Sequence, residues 1–434
     1  MGETKIILRD LLLKHPADIA EILSHLSEEQ ATELLHRLCL HKAAAEPLGE
    51  MEPDESAELL SELDREEAIK VLSRMDPDNA VDLLEELSEE EQKTLLSYLA
   101  PKEAEVLSNL LTYPPDTAGG LMSPEVIALS LDMTAQEALA RLRQRVEEAE
   151  TIYYAYAVDG QGALQGVLSL RDMILAQPNT PLVDLLNRDV ICVPVDTDAE
   201  EVAHLFDKYN YFALPVVDDG QKLLGIITID DVIDVIREEA TEDIYGMASV
   251  PRQEGVNTRW FSSLCMRLPW LYVNLATALL AAVVVGVFEA TIAKVAALAV
   301  LMGVVTGQGG SAGIQTVTIL IRGIALGEVS KGKGWRLLGK ETFLGILNGL
   351  AIGTTVGAVT FLWKGNPYLG LVVFLAMTFN LVAAGMAGTL IPLTLRALRI
   401  DPALASSIFL TTVTDVFGFG FLFLLARLFL PELR

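Results

Sequence analysis

Residues 411–425 read TTVTDVFGFGFLFLL and set one carboxylate, Asp415, inside a run otherwise suited to lipid. That apolar run extends over residues 404–430, longer than the roughly 20 residues a helix needs to cross a hydrocarbon core. Four more such runs lie upstream, at residues 269–289, 295–321, 337–363 and 368–395. The chain is therefore read as a multidomain membrane protein whose C-terminal part is an all-α polytopic domain of five helices. On a helix, Asp415 shares a face with Thr411 and Thr412 one turn earlier and Gly418 one turn later, while Val413, Phe417 and Phe421 lean elsewhere. An ionised carboxylate at such depth is costly unless paired, and no Lys, Arg or His lies in the middle of any span. A mobile cation is the partner this pattern points to, with a protonated or hydrogen-bonded structural aspartate as the alternative.

The other spans supply two more features. Residues 303–316 read GVVTGQGGSAGIQT, and the glycines at 307, 309, 310 and 313 are expected to weaken the helix and free backbone carbonyls, which membranes tolerate where a cavity is lined. Gly345, Gly349, Gly353 and Gly357 recur every four residues, which predicts one bare helix face and the close approach of another helix. Basic residues choose the side. Arg252, Arg259, Arg267, Arg322, Lys331, Lys333, Arg336, Lys340, Arg396 and Arg399 gather at one set of span ends, against Lys294, Lys364, Arg427 and Arg434 at the other. The preceding domains are thus expected in the cytoplasm and the C-terminus outside.

The 434 residues carry a net charge of -27 and yet a mean hydropathy of +0.38, so charge is segregated. The first 250 residues hold 52 acidic and 18 basic groups, and the remainder 7 and 14. An acidic soluble half repels nucleic acid; its natural counterions are cations. Cys39, Cys192 and Cys265 stand too far apart for a disulfide framework or a zinc site. The first 20 residues meet charge at Arg9 and Asp10, which is not the pattern of a signal peptide. No nucleophile-base set, zinc spacing or phosphate loop is present, so an enzyme is not expected. An ion-coupled secondary transporter is the main rival to a passive path, but all five histidines precede Phe206, leaving no proton relay in the spans.

Two repeats organise the soluble half. PADIAEILSHL, PDESAELLSEL, PDNAVDLLEEL and PKEAEVLSNLL open at Pro16, Pro53, Pro77 and Pro101, each with apolar residues at helical spacing and the third with Asp76 as its N-cap. Such units are expected to stack into an α-superhelical N domain. Downstream, AVDGQGALQGVLSLRDM (157–173) aligns with VVDDGQKLLGIITIDDV (216–232), pairing Gly166 with Gly225, Ser169 with Thr228 and Asp172 with Asp231. Each copy predicts strand, turn, strand and helix. The duplication resembles a pair of CBS domains, an α/β fold, and implies a nucleotide pocket in which Ser169 or Thr228 meets phosphate and Asp172 or Asp231 meets ribose. The same hydroxyls would serve equally as helix N-caps. The second copy runs on into DDVIDVIREEATEDIYGM (230–247), acidic along one side at three- and four-residue steps.

With GGSAGIQTVTILIRGIALGE (309–328), DPALASSIFLTTVTDVFGF (401–419) and this order of parts, the chain resembles the MgtE family of magnesium channels and transporters over essentially its whole length. The resemblance implies an N domain over residues 1–115, a CBS pair over 116–236, an acidic connecting helix over 237–262 and a pore domain over 263–434. It further implies Mg2+ uptake across the cytoplasmic membrane by a homodimer set in lipid, closed by cytosolic Mg2+, with ATP as a candidate ligand of the CBS pair. Ion-facing groups fall on Asp415, Thr411, Ser311 and Gly307. Regulatory Mg2+ sites fall on Asp78 and Asp82, on Asp198 and Glu200, on Asp231, Asp234, Glu239 and Glu242, and on Asp401. This chain departs from the family in having Gly309-Gly310-Ser311 where Gly-Gly-Asn is usual, and Asn210 where a carboxylate can stand.

Overall fold

The computed structural model describes residues 10–145, 149–251, 254–256, 258–329, 332, 334–431 and 433. Arg9, Arg252, Lys331, Lys333 and Arg434, used above, lie outside them. The chain forms two compact units, residues 1–236 and 237–434.

In the first unit the proline-led segments are helices α1 (Pro16–His25), α4 (Pro53–Ser61), α6 (Pro77–Glu85) and α8 (Pro101–Leu110). Proline suits the first turn of a helix because its missing N–H would be unbonded there anyway. Between them stand helices that the repeat did not announce: α2 (Glu28–His41), α3 (Ala45–Gly49), α5 (Arg65–Leu72) and α7 (Glu89–Tyr98). Three of these carry their own start signals. Ser27 and Ser88 form capping boxes with Gln30 and Glu91, and Asp64 accepts from the Glu67 N–H, satisfying donors that a helix start leaves open. Leu23, Leu35, Leu38, Leu60, Leu83 and Leu84 are buried in one core.

The two CBS copies follow, each a three-stranded sheet. The first has β1 (Ala128–Ser130), helix α9 (Ala135–Arg145), β2 (Tyr154–Val158), β3 (Leu164–Ser169) and α10 (Leu170–Leu175); the second has β4 (Val193–Pro194), α11 (Ala199–Tyr209), β5 (Ala213–Val217), β6 (Leu223–Thr228) and α12 (Ile229–Met247). In both, the first strand pairs parallel to the second, and the second antiparallel to the third. The hairpin turns join the copies, with Leu164 N–H donating to Gln221 O and Leu223 N–H to Gly162 O.

The second unit holds α13 (Trp260–Val287), α14 (Glu289–Lys294), α15 (Ala297–Ala325), α16 (Gly334–Lys364), α17 (Pro367–Ala397) and α18 (Pro402–Leu428). All but the short α14 are long and apolar enough to cross a membrane. Helix α13 starts nine residues before the apolar run, because its first turns (Trp260, Phe261, Arg267) are amphipathic and Pro269 is accommodated inside it. The four-residue glycine repeat packs as expected: a Cβ at Gly345 would stand 2.8 Å from Leu381 O, and one at Gly357 2.8 Å from Gly370 O, both on α17. One expectation is corrected. The glycines at 307–313 do not break their span, since α15 is helical throughout.

Candidate functional site

Helices α15 and α18 carry the ion-facing candidates on their uncovered sides. Gly307, Ser311 and Thr411 are exposed and Asp415 is half-buried. A Cβ at Gly307 would meet nothing within 4 Å. Ser311 Oγ donates to Gly307 O at 2.9 Å and Thr411 Oγ1 to Ser407 O at 2.8 Å, so each hydroxyl spends its proton on its own helix and turns lone pairs outward. Asp415 has no hydrogen-bond or ion-pair partner among the described residues. An array of outward acceptors suits a cation that arrives with its waters, because those waters are the donors. The sequence reading missed Gln308, Gln315 and Thr318, which are also exposed on α15. Their signal was available, for 308, 311, 315 and 318 form a polar stripe at helical steps.

At one end of these helices the connecting segment is seated within the same unit. Met247, the last residue of α12, packs against Val317, Ile321, Ala403 and Leu410, and its sulfur accepts from Thr318 Oγ1 at 3.6 Å. Ser249 adopts a left-handed conformation (φ 56°) and meets Ser407 hydroxyl to hydroxyl at 3.1 Å. Asp401 Oδ1 accepts from Ala403 N–H at 2.8 Å. Beside it, burial, then Asp401, then Glu242 push the Asp243 carboxyl up.

In the first unit a second acidic centre forms. One carboxylate oxygen each from Asp76, Glu125 and Glu150 lie within 4.8 Å of one another, an arrangement able to hold a metal ion. Asp76 stands at the N-cap position of α6 yet makes no capping bond, which corrects its reading as a cap. Asp78 is only 7% exposed; burial first, then Asp231 and Glu150, hold its carboxyl well above the usual range. Burial and Asp76 push Glu150 up to about 7, although Ser123 donates to it. Burial likewise raises Asp231 to about 6, against the Thr228 hydrogen bonds. The structure thus gathers Asp78 and Asp231 with three groups not foreseen. Asp82 lies half-buried one turn beyond Asp78, and Asp234 is exposed on α12. Asp198 caps α11 by accepting from Glu200 N–H at 2.9 Å.

These raised carboxyls have a measurable consequence. A carboxyl whose folded pKa exceeds its unfolded value stabilises the fold below the unfolded pKa, and that contribution is lost as pH rises through the folded pKa. For Glu150 the window runs from 4.5 to about 7. The metal-free protein is therefore expected to melt at lower temperature at pH 7.5 than at pH 5. A bound divalent cation should reverse that loss and release about half a proton from Glu150 on binding at pH 7, read by calorimetry in buffers of different ionisation enthalpy. Proton release of zero would remove Glu150 from the metal site.

The CBS pair contains an open cleft of about 870 Å³ lined by Tyr153, Tyr154, Ser169, Arg171, Asp172 and Phe212, among others. Tyr153 and Phe212 are exposed, with ring centroids 5.9 Å apart. Ser169 Oγ donates to Asp172 Oδ2 at 2.7 Å and accepts from Asp172 N–H at 3.0 Å, so it does cap α10 while remaining at the cleft. The second copy's pair is closed on itself: Asp231 Oδ2 accepts from Thr228 Oγ1 at 2.6 Å and from its N–H at 3.1 Å, and Thr228 is 5% exposed. Neither residue lines the cleft.

Comparison with known proteins gives a consistent picture. Family models match for the MgtE intracellular N domain over residues 14–116, the CBS domain over 118–179 and 182–238, and the divalent cation transporter domain of MgtE over 302–425. The magnesium transporter MgtE of Thermus thermophilus is 40% identical over 328 residues, covering 74% of this chain and 72% of its own. That of Enterococcus faecalis is 36% identical over 324 residues, covering 75% and 71%. Among solved structures, the cytosolic domain of the Mg2+ channel MgtE in complex with ATP matches with TM-score 0.52 and 39% identity, over 54% of this chain and 95% of its own.

Proposed function

The chain belongs to the MgtE family of divalent cation transporters, and from that premise we propose that it is a Mg2+ channel that closes when cytosolic Mg2+ is high. The observation that carries the reading is Asp415, a carboxylate with no partner among the described residues, together with the exposed hydroxyls of Ser311 and Thr411 and the open Gly307 on the same two spans. Mg2+ gives up water reluctantly and is usually held by one or two carboxylates with several waters kept. One chain supplies half of such a path; a homodimer in the cell membrane completes it, with Asp415 of each copy facing the axis. The soluble unit lies in the cytoplasm and the C-terminus outside.

Regulation follows from the acidic groups. Mg2+ at Asp76, Glu125 and Glu150, with Asp78 and Asp231 adjoining, ties the N domain to the CBS pair. At the inner mouth, Mg2+ near Glu239, Glu242, Asp243 and Asp401 holds the end of α12 where Met247 and Ser249 meet α15 and α18. The transported ion thus favours the closed state. The test is Mg2+ flux through reconstituted protein. A channel carries flux that follows the Mg2+ gradient and voltage and is indifferent to proton and sodium gradients; flux that requires either gradient establishes a coupled transporter instead.

ATP is the ligand proposed for the CBS cleft. Adenine would lie against the Tyr153 and Phe212 rings, with Asp172 at the ribose and Arg171 and Ser169 toward the phosphates. Aromatic stacking on a base is worth about 1–3 kcal/mol, so Phe212→Ala is expected to weaken ATP binding by about tenfold or more in calorimetry, while Asp231→Asn leaves it within a factor of about two. Equal weakening by both would move the nucleotide to the other copy.

A further inference from the structure

The fourth span buries one amide completely. Asn380 on α17 is 0% exposed; its Nδ2 donates to Val305 O of α15 at 2.9 Å, and its Oδ1 has no donor among the described residues. A half-satisfied amide in a membrane core is less stable than an aliphatic side chain of the same shape. The surrounding backbone is nevertheless cut to admit it. Gly309 of α15 lies so close that a Cβ there would overlap Asn380 Nδ2, and a Cβ at Gly418 of α18 would stand 2.9 Å from the same atom. Gly307 and Ser311 flank Gly309, and Asp415 precedes Gly418 by one helical turn.

We propose that Asn380 is a positioning residue for the ion path: its amide, wedged between Gly309 and Gly418 and bonded to Val305 O, fixes the separation and rotation of α15 and α18. Resting on the transport reading above, this gives Asn380 a role without contact with the ion. Outer-sphere recognition depends on the spacing of acceptors around an intact hydration shell, and Mg2+ holds that shell more tightly than Ca2+, whose coordination is looser and more adaptable. A path whose two helices are free to shift therefore loses discrimination before it loses conductance. The wedge also divides the glycines of α15 by task, Gly309 admitting the amide and Gly307 leaving the path open.

The experiment uses full-length protein with Asn380→Ala, Gly309→Ala and the two combined, reading the melting temperature of purified protein and the Ca2+/Mg2+ flux ratio in vesicles. Gly309→Ala alone is expected to lower the melting temperature and cut Mg2+ flux about tenfold, whereas in the Asn380→Ala background the same methyl fills vacated space and is tolerated. The folded double variant should keep Mg2+ flux within about tenfold of wild type while its Ca2+/Mg2+ ratio rises by about threefold or more. Gly309→Ala equally damaging with and without Asn380 would overturn the wedge. An unchanged ion ratio in the folded double variant would reduce Asn380 to packing alone. Wild-type protein that moves no divalent cation would overturn the transport reading and the positioning role with it, while the coupling of melting temperatures still reports on the wedge.

Discussion

Asp415→Asn is expected to cut Mg2+ flux by about a hundredfold with fold and assembly unchanged. The substitution keeps shape and most hydrogen-bonding capacity and removes only the charge. Insertion scales place the cost of an ionised Asp at the centre of a span at about 2.5–3.5 kcal/mol, and no described residue of this chain offsets it. The passing cation must supply at least that much, which corresponds to about two decades in occupancy. Asp415→Glu keeps the charge but reaches one methylene further, so an intermediate flux is expected. Uptake by vesicles, with elution volume as the check on assembly, decides the matter. Wild-type flux through the Asn variant would show that the carboxylate is structural.

What the sequence made legible, and what it hid, divides along physical lines. Asp415 stood out because charge in an apolar run is conspicuous without any neighbour being known. The CBS pair stood out because duplication aligns Gly166 with Gly225 and Asp172 with Asp231; which copy is open was not legible, since Thr228 and Asp231 differ from Ser169 and Asp172 in burial and not in type. The glycine run in α15 misled for a specific reason. A helical glycine costs about 1 kcal/mol relative to alanine, but within a membrane the backbone has no water to turn to, so the helix persists. Composition alone does not separate a glycine that breaks a helix from one that admits a neighbour, as Gly309 admits Asn380. The centre at Asp76, Glu125 and Glu150 was hidden because three segments distant in sequence meet only in the fold. Asp76 in particular looked like a cap, and its carboxylate is used elsewhere.

Under the gating proposed above, Asp76→Asn, Glu125→Gln and Glu150→Gln combined are expected to raise the cytosolic Mg2+ concentration at which flux stops by about tenfold or more. Two effects oppose one another in that variant. Neutral side chains remove repulsion, which at 4.8 Å and an effective dielectric of 20 amounts to about 3 kcal/mol per fully ionised pair before screening, and less for the exposed Asp76. They also remove the ligands through which Mg2+, in the proposed gating, would hold the N domain to the CBS pair, and an ion at ten times its dissociation constant stabilises its bound state by about 1.4 kcal/mol. The protonation of Glu150 decides which effect wins. With its carboxyl pushed up to about 7, Glu150 is already neutral about half the time in the metal-free protein at neutral pH, and every pair in the trio includes Glu150 or the exposed Asp76, so each repulsion the substitutions relieve is already weakened by protonation or by solvent. The lost bridge therefore dominates and the variant stays open. The same protonation predicts that wild-type closure needs more Mg2+ at pH 6 than at pH 8, because protons and Mg2+ compete for Glu150, and that the triple variant loses this pH dependence. Patch recordings with cytosolic Mg2+ and pH varied read both results. A triple variant that closes at the wild-type concentration, or one that keeps the wild-type pH dependence, would move the sensor away from this centre and toward Asp243, Glu242 and Asp401 at the inner mouth.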